Sequence, residues 1–478
     1  MRLFEICTLI FIGLSLMNFF LAKKERVTWQ LPSVTLLFCL LSVVIEGYRM
    51  QMLPAYIFAG VVMGMYFLPA AKKAFNKSKK LKYTWMVVMV VLLIVSLLPP
   101  LCIPVFTMPK PTGSYAIGTT LLHFIDTSRL ETLTDEPSDY RELSVQVWYP
   151  AETVDGQKPV KYYPNKELAG TLQHIIPMPF GHNYLTLIDT HSYQDAPISR
   201  QEDKYPVILF SHGYTGNTRQ NTIQMEELAS HGYIVFSIGH TYEAVSVEFP
   251  HNQIIPLSKK HTDLFYGELS SFMDKEIIDK HGEAFGFRSL LDNGIISHER
   301  IDIWTNDTLF ITNELEKLNR GDIKNMFQHK LDMDRLGIFG HSFGGATAGK
   351  TLVMDKRFKA GINMDGGQFG DIREHVISQP FMLMHTPFSS ETLLVGYHPD
   401  QPMYNVRIVG TQHYSFTDIS IHSPIYKWMG ILGDTNGYHM QTIMNDCILS
   451  FFNKHLKGEH APLLENHNPY EEVHIEYR

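Results

Sequence analysis

Leu336-Gly337-Ile338-Phe339-Gly340-His341-Ser342-Phe343-Gly344-Gly345-Ala346-Thr347 is the stretch on which the fold turns. Its first four residues are a short apolar run that reads as a buried strand. Gly344, Gly345 and Ala346 then open a helix that continues to about Met354. A turn this sharp needs small residues on both sides, because the residue at its apex takes a strained backbone and the helix packs close to the strand. The Gly-x-Ser-x-Gly spacing projects the Ser342 hydroxyl past the end of the sheet. It also sets the N–H of Phe343 beside it as a donor to an oxygen that gains negative charge. The five-residue pattern alone is a weak sign; the strand–turn–helix setting and the partners downstream give it weight.

Similar apolar runs surround this one. Residues 143–149 alternate like an early strand, and residues 207–210, 233–238, 360–364, 381–384 and 406–409 read as further strands, with helical segments mostly between them. Continuous apolar strands alternating with helices imply an α/β fold whose mainly parallel sheet is covered on both faces. Residues 240–334 form a long insertion, in which 264–278 and 301–318 look helical. The second reads as a helix packed on the sheet and the first as part of a lid.

Ligands in open parallel sheets bind beyond the C-terminal ends of the strands. Ser342 is expected there, and so is Asp365, which directly follows residues 360–364. His413 is expected shortly past residues 406–409. The order Ser, Asp, His is that of an α/β-hydrolase fold. In it His413 takes the Ser342 proton, and Asp365 fixes the imidazole tautomer. Tyr214, in Ser211-His212-Gly213-Tyr214-Thr215-Gly216, follows a strand at the point where the second oxyanion donor belongs, so its backbone N–H pairs with that of Phe343. Each assignment has a plainer reading: Asp365 as a turn residue, His-Gly-Tyr-Thr-Gly as an ordinary tight turn. His385 is a rival base, read as structural because Thr-Pro follows it. Asp418 is a rival acid too near His413 in sequence to be placed independently. His341 is expected to point away from the attack site.

The first quarter of the chain differs in character. Apolar stretches at about 3–21, 31–47, 52–70 and 83–105 approach the length of a membrane-crossing helix. Four spans are therefore expected in a membrane unit covering 1–112, ahead of a catalytic domain at 113–478. Glu46 and Arg49 are expected to reach the interface at the end of the second. Lys23, Lys24 and Arg26 follow the first stretch, and Lys72, Lys73, Lys77, Lys79, Lys80 and Lys82 follow the third. Only Arg2, Arg49 and Lys110 lie on the other side. That bias puts the basic loops in the cytoplasm and the catalytic domain outside the cell membrane. A net charge of -8 argues against a nucleic-acid partner. Of four cysteines only Cys447 lies beyond the apolar quarter, which excludes a disulfide scaffold there and a cysteine zinc site. No His-Glu-x-x-His pattern occurs, and no metal or other cofactor is expected.

The segment 340–347 resembles the nucleophile segment of the platelet-activating factor acetylhydrolase family, comprising plasma and intracellular type II enzymes and bacterial relatives. Leu209-Phe210-Ser211-His212-Gly213 and Leu228-Ala229-Ser230-His231-Gly232-Tyr233 are similar too. Gly113-Ser114-Tyr115-Ala116-Ile117-Gly118-Thr119 and Val145-Gln146-Val147-Trp148-Tyr149-Pro150 match the family's opening. The resemblance covers most of 113–420. It implies Ser342, Asp365 and His413 as triad, with Tyr214 and Phe343 forming the oxyanion hole. It also implies calcium-independent cleavage of short or oxidised sn-2 acyl chains of phospholipids. The chain departs from the family in its apolar quarter and in its insertion. A general carboxylesterase, an acyltransferase and an inactive receptor or scaffold remain as alternatives.

Overall fold

In the strand Tyr205–Ser211, Ile208 and Phe210 enter one apolar cluster while Val207 and Leu209 enter another. The same alternation recurs in its neighbours. Met382 and Met384 face one way, Phe381 and Leu383 the other. Side chains alternate across a strand, so every strand of this kind needs cover on both faces. One face is covered by the helices Thr222–Ser230 and Gly437–Phe452, through Met225, Leu228, Ile443, Met444, Cys447 and Phe451. The opposite face is covered by Ile296–Arg320 and Phe343–Met354, through Ile311, Leu315, Ala348 and Leu352.

This is a computed structural model that describes residues 1–21, 29–67, 78–152, 154, 156–387, 390–465 and 468–478. The chain forms two units. One comprises Met1–Thr107, Lys161–Asp189 and His422–Ile425; the other comprises Met108–Val160, Thr190–Ile421 and Tyr426–Arg478.

The second unit holds the sheet. Its strands are β1 (Ala116–Leu130), β2 (Tyr140–Ala151), β3 (Ser192–Gln194), β4 (Tyr205–Ser211), β5 (Ile234–Gly239), the separate hairpin β6 (Ser246–Phe249) and β7 (Gln253–Pro256), β8 (Leu331–His341), β9 (Phe358–Met364), β10 (Phe381–His385), β11 (Tyr404–Ile408) and β12 (Val473–Tyr477). The spatial order is β12-β11-β10-β9-β8-β4-β5-β2-β1-β3. From β5 through β4 and β8 to β11 all pairs are parallel; β2 joins β5, and β12 joins β11, antiparallel. The expected strands fall on β2, β4, β5, β8, β9, β10 and β11. The insertion differs in detail. Residues 264–278 are two helices, Lys259–Phe272 and Lys275–His281, broken where Asp274 caps the second by accepting the Glu276 N–H at 2.8 Å. A third helix, Glu283–Asn293, follows.

The first unit corrects the expectation of four spans. Three of its helical stretches are long and apolar enough to cross a membrane: Leu3–Leu21, Met50–Phe67 and Lys79–Cys102. The fourth, Gln30–Val44, has 15 residues; at about 1.5 Å each it falls short of a ~30 Å hydrocarbon layer. It runs against the first helix, with Ser15 Oγ 3.2 Å from Thr35 Oγ1. Arg49 does not reach out as expected. It is buried, its guanidinium clasping Glu5 at 2.6 and 2.8 Å and donating to the Ile103 carbonyl at 2.8 Å. Burial of the charge is compensated by that two-point pairing. Lys23, Lys24, Arg26, Lys72, Lys73 and Lys77 lie outside the described residues.

Candidate active site

Backbone strain marks the end of β8. Ser342 has φ 55 and ψ -122, a conformation uncommon for a side chain with a Cβ, and the helix Phe343–Met354 starts at the next residue. The Ser342 N–H donates to the Met364 carbonyl at 2.8 Å, tying the turn to β9. Glycines flank it because the chains touch. A Cβ on Gly344 would lie 2.0 Å from the Ser211 carbonyl oxygen, and one on Gly340 would lie 2.2 Å from that of Gly344. Among the described residues no hydrogen bond engages the Ser342 hydroxyl.

Asp365 follows β9, also with positive φ (54), and its own N–H donates to the Met384 carbonyl at 2.7 Å. Its Oδ1 accepts the Thr386 N–H at 3.1 Å, and its Oδ2 lies 2.7 Å from His413 Nδ1. A carboxylate only accepts, so the imidazole proton sits on Nδ1 and Nε2 is left as the basic nitrogen. His413 opens the 3-10 turn His413–Phe416 after β11. Its side chain is 42% exposed against 4% for Asp365, so the imidazole reaches solvent while the carboxylate it bonds does not.

Tyr214 lies on the loop after β4 and Phe343 opens the helix after Ser342, their rings 5.6 Å apart and edge-on. Among the described residues, neither N–H is used by another protein group. The flanking Thr215 N–H is taken by the Glu243 carbonyl at 3.0 Å and the Gly216 N–H by that of Gly213 at 2.7 Å. The insertion walls the Tyr214 side chain. Phe265 stacks on it at 4.0 Å and Trp304 at 6.0 Å, with Phe287, Leu290 and Phe369 completing the apolar cluster. Trp304 Nε1 donates to Glu243 at 2.7 Å. Full burial raises the Glu243 carboxyl to about 7, opposed by the nearby Arg141 and Arg300 cations. Glu268 clamps the helix carrying Phe265 to the start of Ile296–Arg320, accepting the N–H groups of Ile295, Ile296 and Ser297 at 2.6, 2.8 and 2.7 Å.

The rivals are occupied elsewhere. His385 is buried between the Thr386 carbonyl and Asn405 Oδ1, each at 2.8 Å. Asp418 caps the helix Thr222–Ser230, accepting the Thr222 N–H at 2.8 Å. His341 does not turn away from the site as expected; its ring lies 4.5 Å from that of His413.

A profile of the family described as platelet-activating factor acetylhydrolase, isoform II, matches residues 103–466. The chain belongs to that family. It is accordingly a carboxylic ester hydrolase. Members similar to it include the platelet-activating factor acetylhydrolase of Cavia porcellus, 25% identical over 374 residues, covering 73% of this chain and 78% of the relative. That of Bos taurus is 27% identical over 376 residues, covering 73% and 77%. A probable 1-alkyl-2-acetylglycerophosphocholine esterase of Arthroderma benhamiae is 26% identical over 230 residues, covering 45% and 48%. Among solved structures, a ferulic acid esterase from Streptomyces cinnamoneus superposes with a TM-score of 0.60 at 23% identity, over 78% of this chain and 99% of that one. At that identity the likeness shows a shared fold. For this member of the acetylhydrolase family, the motifs pointed to the Ser, Asp and His residues but not to the aromatic wall or to Glu268. Nothing in their local sequence marks the three N–H groups that Glu268 finds.

Proposed function

We propose that this chain is a membrane-anchored serine hydrolase that cleaves short or oxidised sn-2 acyl groups of phospholipids. The observation that carries the reading is the 2.7 Å bond from His413 to Asp365, beside a serine held in left-handed backbone conformation. Ser342 Oγ attacks the ester carbonyl carbon while its proton passes to His413 Nε2, and the Ser342–His413 hydrogen bond forms as the ester is engaged. The N–H groups of Tyr214 and Phe343 receive the charge on the carbonyl oxygen. Collapse breaks the ester bond, and His413 returns the proton to the departing alcohol. Water, deprotonated by the same nitrogen, then releases the acid and frees Ser342.

The anchor is supported by the three long apolar helices. Lys79, Lys80 and Lys82 open the last of them, and the positive-inside bias assigns the residues beyond Cys102 to the outer side. Membership of the acetylhydrolase family supports the phospholipid substrate.

The test uses the full chain in detergent micelles with phosphatidylcholines of graded sn-2 length beside p-nitrophenyl acetate. Acetyl and other short chains should be preferred over palmitoyl by at least about tenfold, and Ser342→Ala should abolish turnover. Cleavage of the simple ester with no phospholipid accepted would indicate a general carboxylesterase. Transfer to an added alcohol would indicate an acyltransferase. Neither turnover nor fluorophosphonate labelling would indicate an inactive scaffold.

A further inference from the structure

Three loops must keep a fixed spacing for this chemistry: Gly213-Tyr214 with one oxyanion donor, His341-Ser342-Phe343 with the nucleophile, and Gln412-His413 with the base. One continuous hydrogen-bond chain runs through all three. The Gly213 N–H donates to Gln220 Oε1 at 3.1 Å, Gln220 Nε2 lies 2.8 Å from His341 Nδ1, and His341 Nε2 lies 3.0 Å from the His413 carbonyl oxygen.

Chemistry allows this chain only one direction. The Gly213 N–H can only donate, so the Gln220 oxygen accepts and its NH₂ is left to donate to His341 Nδ1. His341 Nδ1 is then an acceptor, its ring proton sits on Nε2, and that proton goes to a carbonyl that can only accept. Both ends of a buried imidazole are thereby used. A second tie comes from the backbone, where the Asp418 N–H donates to the Gln220 carbonyl at 3.0 Å. The packing is tight: a Cβ on Gly213 would stand 3.0 Å from His341 Nδ1 and 3.3 Å from Ser342 Cβ. The titratable groups that act on His341 are His413 and Asp365, and burial lowers its imidazole to about 3. It therefore stays neutral when His413 takes the serine proton.

We propose that Gln220 and His341 are positioning residues for ester hydrolysis, setting the distance between the oxyanion donor of the Tyr214 loop and the imidazole of His413. The proposal rests on the reading that Ser342, Asp365 and His413 carry the reaction. It assigns a role to the residue before the nucleophile and to a glutamine that no motif singles out.

The experiment measures p-nitrophenyl acetate hydrolysis by the full chain in detergent for wild type, Ser342→Ala, His341→Leu, His341→Gln, Gln220→Leu and the double variant His341→Leu/Gln220→Leu, each with its melting temperature. His341→Leu and Gln220→Leu should lower kcat by about 10- to 100-fold with KM changed less than about threefold, since bound geometry and not affinity is lost. His341→Gln, whose amide can still donate to the His413 carbonyl, should recover most of the rate. The double variant should be no worse than the poorer single one, because both residues act through one chain. Retention of kcat within about twofold in folded Gln220→Leu overturns the proposal, as does a His341→Gln no better than His341→Leu at equal melting temperature. If His341→Leu does not fold, Gln220→Leu and His341→Gln decide. Full activity in Ser342→Ala overturns the catalytic reading and the proposal together, whereas an inactive Ser342→Ala beside fully active Gln220→Leu removes the proposal alone.

Discussion

His413 Nδ1 stands 2.7 Å from Asp365 Oδ2, and the other oxygen of that carboxylate is held by the Thr386 N–H at 3.1 Å. The carboxylate is thus held from two sides, by the strand end after β10 and by the imidazole. Asp365→Asn keeps the shape, but its oxygen stays with the Thr386 N–H and its NH₂ faces Nδ1, which favours the wrong imidazole tautomer. The expected loss in kcat is about 10³- to 10⁴-fold with the fold intact. Steady-state kinetics with p-nitrophenyl acetate beside a circular dichroism melt would check it.

The elbow makes a steric prediction. Gly344→Ala forces a methyl to within 2.0 Å of one backbone carbonyl oxygen and 2.3 Å of the next, those of Ser211 and His212. Backbone cannot step aside as a side chain can, so the variant should lose about 3 kcal/mol or more. Gly267 is the contrast, inside the helix Lys259–Phe272 with nothing within 4 Å of where an added methyl would stand. Gly267→Ala should stabilise by about 0.5–1 kcal/mol. Denaturant titration of the two variants should move the midpoint in opposite directions.

Glu268 anchors the aromatic wall. Removing its carboxylate in Glu268→Ala leaves three helix-start N–H groups to water and should cost about 1–2 kcal/mol. Burial pushes its pKa up, but the three N–H bonds outweigh that and hold it below the ordinary carboxylate range. The contribution is therefore present above the ordinary glutamate pKa and is lost as pH falls through the lowered one. The protection of residues 259–293 against hydrogen exchange, corrected for the intrinsic rate at each pH, should fall in Glu268→Ala at pH 7, and in wild type only on acidification.

Acid should destabilise the catalytic unit through its histidines. Burial lowers both His212 and His341 to about 3, helped by the neighbouring His240 and His413. Unfolded, both titrate near 6.5, so between 6.5 and 3 the unfolded chain binds more protons and stability falls as pH falls. The slope approaches about 1.4 kcal/mol per pH unit for each group. Melting temperature measured from pH 7 to 4 should drop, and less steeply in His341→Gln.

Legibility in the sequence followed burial on both faces. β4, β5 and β10, with β8 over 337–341 and β9 over 360–364, were readable because neither side of them meets water, which leaves runs such as Val207-Ile208-Leu209-Phe210 unbroken. β1 was missed: Thr, His and Asp interleave its apolar residues, and its burial alternates only over 123–127, so no continuous apolar run marks it. β12 was missed because Val-His-Ile-Glu-Tyr gains its strand character only from pairing with β11. Ser342, Asp365 and His413 stood out as candidates because each directly follows or lies just beyond an apolar run. Gln220 was not, since its partners Gly213, His341 and Asp418 are scattered along the chain and its neighbours Arg219 and Asn221 carry no pattern. The second apolar stretch was legible as apolar but not as short, since the helix ends at Val44 before Glu46 and Gly47.

The unit that contains the N-terminal helices is stitched from three separate lengths of chain. His422 rests its ring on Phe106 at 5.1 Å and meets the Tyr162 hydroxyl at 3.3 Å. Ser423 Oγ donates to the Cys102 carbonyl at 2.5 Å, and Gln51 Nε2 to that of Gly181 at 3.1 Å. Scissors applied after residue 107 would therefore not yield a clean soluble enzyme. They would strip Tyr162, Gly181, His422 and Ser423 of the surfaces they were shaped against, and leave a sticky scar where the helices had been. A cut there divides that unit itself, so preparations of this molecule are best made whole.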